Sequence, residues 1–178
     1  MTEPASPFND RRWSIDAATV GSVKRGKIEA TTAELAAVAK LLDLLACRSL
    51  SIDFELKPMA ARDAGSYRLL AQFKADVVQS CIVTLDPVAS TTDERLNIEL
   101  RPEGSAAGSE IDSGDLLNAA DTDTYANGRI DFGQLAFELL SVSLDPYPRK
   151  PGAEFAEDIN AGKAELSPFA ALAKLRKS

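Results

Sequence analysis

The chain has 178 residues, of which 45% are apolar and 26% charged, and its formal net charge is −7 at pH 7. This length and apolar fraction suffice for one sizeable core, so we predict a single domain with extensions rather than two domains. Histidine is absent, which removes Ser-His and Cys-His nucleophile pairs and the commonest zinc ligand. We therefore expect a protein that is not an enzyme and uses no cofactor.

Charge is unevenly distributed along the chain. Residues 102–148 carry nine acidic side chains against the single basic Arg129, while basic side chains gather in residues 11–27 and 174–177. An acidic segment of this kind is typical of a docking surface for a basic protein, because complementary charge steers encounter. A solubilising loop explains the same composition equally well.

Localisation is indicated by two further features. The sequence has no apolar run near the ~20 residues that a helix needs to cross a bilayer, and no signal-like segment precedes its two cysteines, Cys47 and Cys81. We therefore expect a soluble cytoplasmic monomer without membrane contact, whose cysteines are reduced rather than joined in a disulfide.

The first third of the chain predicts a helix followed by a strand. Residues 1–10 are polar and predict a disordered lead-in, and residues 11–28 are ambiguous between strand and coil. Thr31 and Glu34 form a capping-box pattern, and apolar residues then recur at helical spacing, which predicts a helix at about 32–46. From Leu50 to Leu56 apolar and polar residues alternate, which predicts a half-buried strand that Pro58 ends.

The middle of the chain predicts a sheet. Apolar residues alternate from Tyr67 to Val77, β-branched residues continue to Leu85, and a further strand is predicted at 95–101. Short connections between successive strands favour antiparallel pairing. We predict an α+β fold over residues 11–155, with an antiparallel sheet of four to six strands that is either open or barrel-like. Residues 103–123 predict a flexible acidic loop.

A second main helix is predicted at 131–144. Asp131 and Gln134 fit a capping box, and the apolar residues that follow cover most of the helix circumference, which predicts an interior helix. Pro146 and Pro148 end it and give a stiff segment that presents basic side chains. Residues 156–178 predict a mobile tail that contains a short C-terminal helix, with Ser167 as its cap and Pro168 at its first helical position. Its apolar face carries Phe169, Leu172 and Leu175.

Cysteine and carboxylate patterns offer little chemistry. A zinc knuckle around Cys81 would need a second cysteine at position 84, where Thr84 stands, so we predict no metal site and a packed strand cysteine. Asp131, Glu138 and Asp145 are spaced by seven residues, as acid–base carboxylates on one helix face would be. A helix cap, an exposed residue and a turn explain the same three residues more simply.

Basic and aromatic residues near the two ends of the domain are candidates for RNA or partner contact. Lysine and arginine neutralise phosphates and release counterions, and tyrosine can stack on bases. The candidate residues are Arg11, Arg12, Lys24, Arg25, Tyr147, Arg149 and Lys150. Solvated charge accounts for them equally well on composition alone.

The order of the motifs resembles a known family. R-R-W is followed by V-V-Q-S-C-I-V-T-L-D-P-V, then by the acidic segment, then by G-R-I-D-F-G-Q-L-A-F-E-L-L-S-V-S-L-D-P-Y-P-R-K-P-G-A-E-F and S-P-F-A-A-L-A-K-L. Over nearly its whole length the chain is similar to the alphaproteobacterial form of the YceD family, the large ribosomal RNA subunit accumulation proteins. The residues that match recurrent family positions are Cys81, Leu85, Pro87, Asp131, Leu135, Glu138, Leu144, Pro146 and Pro148.

The resemblance implies a role in ribosome biogenesis. Family members are typically encoded beside a large-subunit ribosomal protein gene, and no enzymatic activity is established for them. We expect a non-enzymatic factor that supports accumulation of large-subunit ribosomal RNA by binding RNA or a ribosomal protein. An acidic adaptor for a basic ribosomal protein is the main alternative, and a hydrolase using Asp131 and Glu138 is a third. Many relatives carry a second cysteine after Cys81, which this chain lacks, so a metal or thiol-pair role is not expected.

Overall fold

The computed structural model describes residues 7–8, 10–59, 65–105 and 121–154. Within these residues the fold is α+β, as the sequence predicts. Five strands form an open sheet in the order β2-β3-β4-β5-β6, two short strands, β1 and β7, form a ribbon, and two helices complete the fold. The sheet is not closed into a barrel. The strands are β1 (Ser14–Asp16), β2 (Lys24–Glu29), β3 (Ala46–Pro58), β4 (Tyr67–Ser80), β5 (Pro87–Pro102), β6 (Asp121–Tyr125) and β7 (Arg129–Asp131), and the helices are α1 (Thr32–Leu41) and α2 (Phe132–Ser143).

The core lies on one face of the sheet. Along β3 and β4 every second side chain is buried, because successive side chains of a strand point to opposite faces. α1 packs against β3, and α2 packs against β1, β3 and β4. Phe54 of β3 stacks on Phe132 of α2, with ring centroids 4.4 Å apart. The largest fully buried side chains are Trp13, Leu50, Ile52, Leu56, Leu69, Phe73, Phe132 and Leu140.

The segment that precedes β2 is more ordered than composition suggests. Two 3-10 turns, Arg11–Trp13 and Ala17–Thr19, flank β1, which pairs antiparallel with β7. Phe8 lies within the predicted lead-in, yet only 3% of it is exposed, and its ring centroid is 4.3 Å from that of Trp13. Aromatic burial therefore ties this segment to the core.

Helix α1 begins as predicted but ends earlier. Thr31 and Glu34 make both hydrogen bonds of the capping box. The helix stops at Leu41 rather than near residue 46, because Asp43 adopts a left-handed conformation with φ of 52° and β3 already starts at Ala46. The predicted continuation to residue 46 was wrong by more than one turn.

Helix α2 also begins as predicted, with two differences. The Asp131 side chain accepts hydrogen bonds from the amides of Gly133 and Gln134. The Gln134 side chain donates to Glu138 instead of returning to the cap, so the capping box is incomplete. Val142 is 80% exposed. The helix therefore buries one side and leaves the other in solvent, and its predicted interior position was wrong.

The sheet itself departs from the prediction in two places. β4 is one continuous strand that ends at Ser80, and residues 81–86 form the connection to β5. β6 pairs parallel to β5, with Asp121 opposite Ile98 and Tyr125 opposite Pro102. The antiparallel prediction holds for the other three strand pairs of this sheet and was wrong for this one. Asp121 to Asp123, within the predicted acidic loop at 103–123, are strand rather than loop. Residues 106–120 of that loop and the predicted C-terminal helix fall outside the described residues.

Candidate partner-binding sites

Two family-like motifs that are far apart in sequence meet at one end of the sheet. The turn between β4 and β5 lies against the segment that follows α2. The Ile82 amide donates to the Pro148 carbonyl at 2.9 Å, and the Gln79 side chain donates to the Asp145 carbonyl at 2.9 Å. The motif residues Cys81 and Leu85 lie in this turn, Pro87 begins β5 directly after it, and Leu144, Pro146 and Pro148 lie in the segment after α2.

The turn has a defined backbone geometry. The Cys81 amide donates to the Asp86 carbonyl at 2.8 Å, and the Leu85 amide donates back to the Cys81 carbonyl at 2.9 Å. Leu85 has φ of 61°, a left-handed conformation that is rare for a bulky side chain. This conformation leaves Leu85 76% exposed. The turn thus projects an apolar side chain into solvent.

The Cys81 thiol joins the two segments. Its sulfur is buried and accepts hydrogen bonds from the amides of Val83 and Lys150, both at 3.4 Å. The Thr84 hydroxyl, followed by the amides of Lys150, Thr84 and Val83, lowers the pKa of Cys81 to about 6. By contrast, burial and the Asp76 charge raise the pKa of Cys47 to about 11. Both cysteines are free.

A metal site is not assembled around Cys81 by the residues that the structure describes. Within those ranges no group of three or more histidine, cysteine, aspartate or glutamate side chains is placed to hold an ion. The thiol instead accepts hydrogen bonds from its own turn and from the Lys150 amide. The Cys81 thiol therefore holds two backbone segments together by hydrogen bonds.

The predicted contact residues do not form one surface. Tyr147 and Arg149 are exposed beside the turn, and Lys150 pairs with Asp86 at 3.0 Å. Lys24 of β2 lies opposite Leu56 of β3, and Leu56 lies opposite Leu69 of β4. Leu69 is near the end of β4 that is far from Ser80. At about 3.3 Å per strand residue, these two regions are roughly 35 Å apart along the strand.

The remaining predicted contact residues lie elsewhere or already have partners. The Arg12 guanidinium pairs with Asp10 and Glu34 and donates to the Glu29 carbonyl at 2.6 Å, so it fastens the start of α1. Arg25 pairs with Glu55 on the neighbouring strand. Arg11 is exposed in the first 3-10 turn. The seven residues therefore do not form one continuous phosphate-binding surface.

A second motif set lines a cleft at the other end of α2. Asp131, Leu135 and Glu138 face β6 and the loop before β7 across a cleft of about 470 Å³. Its lining includes the buried residues Leu69, Leu100 and Ile130, and four carboxylates, those of Glu103, Asp123, Asp131 and Glu138. The basic side chain in this lining, Arg129, donates to the Ser14 hydroxyl. We call this the acidic cleft.

A shallow groove on the polar face of the sheet was missed by sequence reasoning. It has a volume of about 750 Å³ and lies over Leu70, between Arg25 and Glu55 on one side and Arg95 on the other. Arg25 was predicted as a contact residue, but the others lie at outward-facing positions of alternating strands, where the sequence gives no signal of a groove. The exposure of Ile82 and Leu85 was missed for a similar reason, since both lie in an apolar run that reads as strand.

Comparison with known proteins adds no relative. No protein-family model, curated protein or solved structure matches the chain. What the structure defines is a class: an α+β protein with an open five-stranded sheet. The longest helix in the part of the chain that the structure describes has 12 residues, and none there is long and apolar enough to cross a membrane.

Proposed function

We propose that this protein is a non-enzymatic ribosome-biogenesis factor that supports accumulation of large-subunit ribosomal RNA by binding a basic large-subunit ribosomal protein. The ribosomal role rests on the motif resemblance to the YceD family. The choice of a protein partner over RNA rests on the acidic cleft.

The cleft is suited to a basic side chain. Glu103, Asp123 and Glu138 are exposed around its rim, while Ala126 and the half-buried Leu135 supply apolar surface. A lysine or arginine has an aliphatic stem that packs on apolar surface and a charged head that pairs with carboxylates. An acidic rim around an apolar floor therefore offers both halves of that contact.

Binding of RNA is less well supported by the charge arrangement. Three of the seven predicted contact residues, Arg12, Arg25 and Lys150, already pair with carboxylates of this chain. Phosphate binding depends on the number of neutralised phosphates, and the acidic rim would repel a phosphate backbone. The exposed pair Tyr147 and Arg149 remains the place where an RNA strand would make contact.

The experiment is a binding titration of the full chain with the purified basic ribosomal protein. A cleft variant combines Glu103→Gln, Asp123→Asn and Glu138→Gln, and leaves Asp131 intact because its carboxylate caps α2. The control combines Asp53→Asn, Asp76→Asn and Asp93→Asn, which removes the same charge from the opposite face of the sheet.

We expect the cleft variant to bind about 10- to 100-fold more weakly, since each partly exposed ion pair contributes roughly 0.5–1 kcal/mol and a tenfold change equals about 1.4 kcal/mol. The control should bind like the wild type. An equal loss in both variants would overturn the cleft assignment. Tight, salt-sensitive binding to large-subunit ribosomal RNA that the cleft variant retains would overturn the protein-partner proposal and move the contact to Tyr147 and Arg149.

A further inference from the structure

Four exposed apolar side chains lie in segments that meet at the Cys81 end of the sheet. Ile82 is 45% exposed, Leu85 76% and Tyr147 71%. Leu45 is 56% exposed and precedes β3, where its amide donates to the Val78 carbonyl at 2.8 Å. These four residues, which we call the apolar end, come from three separate segments that converge near the end of β4.

The backbone holds this surface in place. Leu85 keeps its left-handed φ within a turn closed by two backbone hydrogen bonds, and the Tyr147 amide donates to the Asp145 side chain at 2.9 Å. A leucine held in the left-handed region costs free energy, and strained residues of this kind cluster at active sites, ligand clamps and switch regions. The apolar end therefore has the character of a surface that is covered by something.

The described residues end close to this surface. The Lys150 amide contacts Cys81, the Ala153 amide donates to the Lys150 carbonyl at 3.0 Å, and the described residues end at Glu154. Residues 155–166 then provide twelve residues of connection, which can span up to about 40 Å at 3.3–3.6 Å per residue. Residues 167–176 are thus within reach of every part of the apolar end.

The sequence of residues 167–176 matches the chemistry of the surface. Phe169, Leu172 and Leu175 share one face of the predicted helix, and a helix this short needs an apolar contact to be stable. Its basic residues Lys174 and Arg176 complement the exposed carboxylates of Asp43 and Asp145, which flank the apolar end.

We propose that residues 167–176 dock as a helix onto the apolar end of the same molecule, burying Phe169, Leu172 and Leu175 against Leu45, Ile82, Leu85 and Tyr147. The docked segment completes the surface around the turn that carries Cys81. The apolar end lies at the opposite end of α2 from the acidic cleft, so docking there does not depend on the proposed function.

The test uses the full chain with labelled Ile, Leu and Val methyl groups, observed by NMR. Phe169→Glu with Leu172→Glu places two negative charges on the docking face, and Ala170→Glu with Ala173→Glu places two negative charges outside that face of the predicted helix as a control. We expect the methyl signals of Leu45, Ile82 and Leu85 to shift in the docking-face variant and to stay in place in the control. The Leu70 methyls, on the other face of the sheet, should not move in either.

A reciprocal variant completes the experiment. Leu85→Glu should bring the Leu172 and Leu175 methyl shifts to random-coil values, and all shifts of the wild type should be independent of protein concentration. Unchanged signals at Leu45, Ile82 and Leu85 in the docking-face variant would overturn the proposal. Shifts that depend on concentration would also overturn it, because the apolar end would then be covered by a second copy.

Discussion

The Lys150 amide donates a hydrogen bond to the thiol sulfur of Cys81, 3.4 Å away, across 69 residues of sequence. This contact joins the segment after α2 to the turn between β4 and β5. The same sulfur accepts a hydrogen bond from the Val83 amide. Both hydrogen bonds favour the thiolate, so the protonation state of Cys81 is coupled to the contact between these two segments.

Stability should therefore rise with pH through the titration of Cys81. Its pKa is lowered from 9.0 to about 6, chiefly by the Thr84 hydroxyl. Between these values the unfolded chain binds a proton that the folded chain does not, so the free energy of unfolding increases as pH rises and the increase is lost as pH falls through about 6.

Urea unfolding at several pH values within that window will check this expectation. Cys81→Ser should abolish the pH-dependent increase, since a serine hydroxyl does not ionise there. Cys47→Ser is the matched control and should keep the increase, because the pKa of Cys47 is raised rather than lowered. Equal pH dependence in the wild type and Cys81→Ser would contradict the assignment of the effect to this thiol.

Glu34 should be one of the most sensitive polar positions. Burial would raise its pKa, but hydrogen bonds from Thr31, Arg12 and the Trp13 indole outweigh burial and lower the pKa. Glu34→Ala leaves the indole N–H of fully buried Trp13 without this acceptor and removes half of the capping box. We expect a loss of about 2–4 kcal/mol in urea unfolding. Glu138→Ala, at an exposed helix position, should cost no more than about 0.5 kcal/mol, and a similar cost for both would refute the network's importance.

Gly133→Ala tests the packing of α2 on the segment around Trp13. Alanine is favoured over glycine in a helix by about 1 kcal/mol, but a Cβ here would lie 2.5 Å from the Phe8 Cβ and 3.2 Å from the Trp13 Cβ. Overpacking of this kind costs about 1–3 kcal/mol or more, so steric strain should win and thermal unfolding should occur at lower temperature. Gly21→Ala has no atom within 4 Å and should be near neutral. Stabilisation by Gly133→Ala would show that the helix does not press on Phe8.

Tyr67→Phe should weaken the fold, whereas Tyr147→Phe should not. The Tyr67 hydroxyl is buried and donates to the Ala17 carbonyl at 2.7 Å, which ties β4 to the turn after β1. That carbonyl also accepts from the Val20 amide, so it is not left bare, and we expect a loss of about 1 kcal/mol. Tyr147 is 71% exposed and serves as the control. The denaturation midpoints of both variants in urea will check this prediction. An unchanged midpoint for Tyr67→Phe would show that the hydrogen bond to Ala17 does not stabilise the fold.

Local features of the fold could be predicted because neighbouring residues determine them. The capping box of Thr31 and Glu34 and the Asp131 cap are interactions within one turn, and the alternation from Leu50 to Leu56 follows from burial of one strand face. These signals do not depend on what the rest of the chain does.

Features decided by distant partners could not be predicted. The apolar spacing of helix α1 continues through Leu45 in the sequence. The chain nevertheless becomes strand β3 at Ala46, because Ala46 pairs with Val78 of β4. Asp121 to Asp123 carry no apolar pattern, and they are a strand because β5 supplies hydrogen bonds to them and because the Tyr125 hydroxyl donates to the Gly65 carbonyl.

The fold class, the two helix starts and the strands with one buried face follow from the amino-acid sequence alone, because propensity, capping and periodicity act over a few residues. Three relationships depend on how the whole chain folds: Cys81 meets Lys150, Asp131 and Glu138 share a cleft with Asp123, and Arg12 and Lys24 lie away from Arg149. The physical reason is that strand pairing and chain reversal bring together residues whose separation in sequence carries no information about their distance in space.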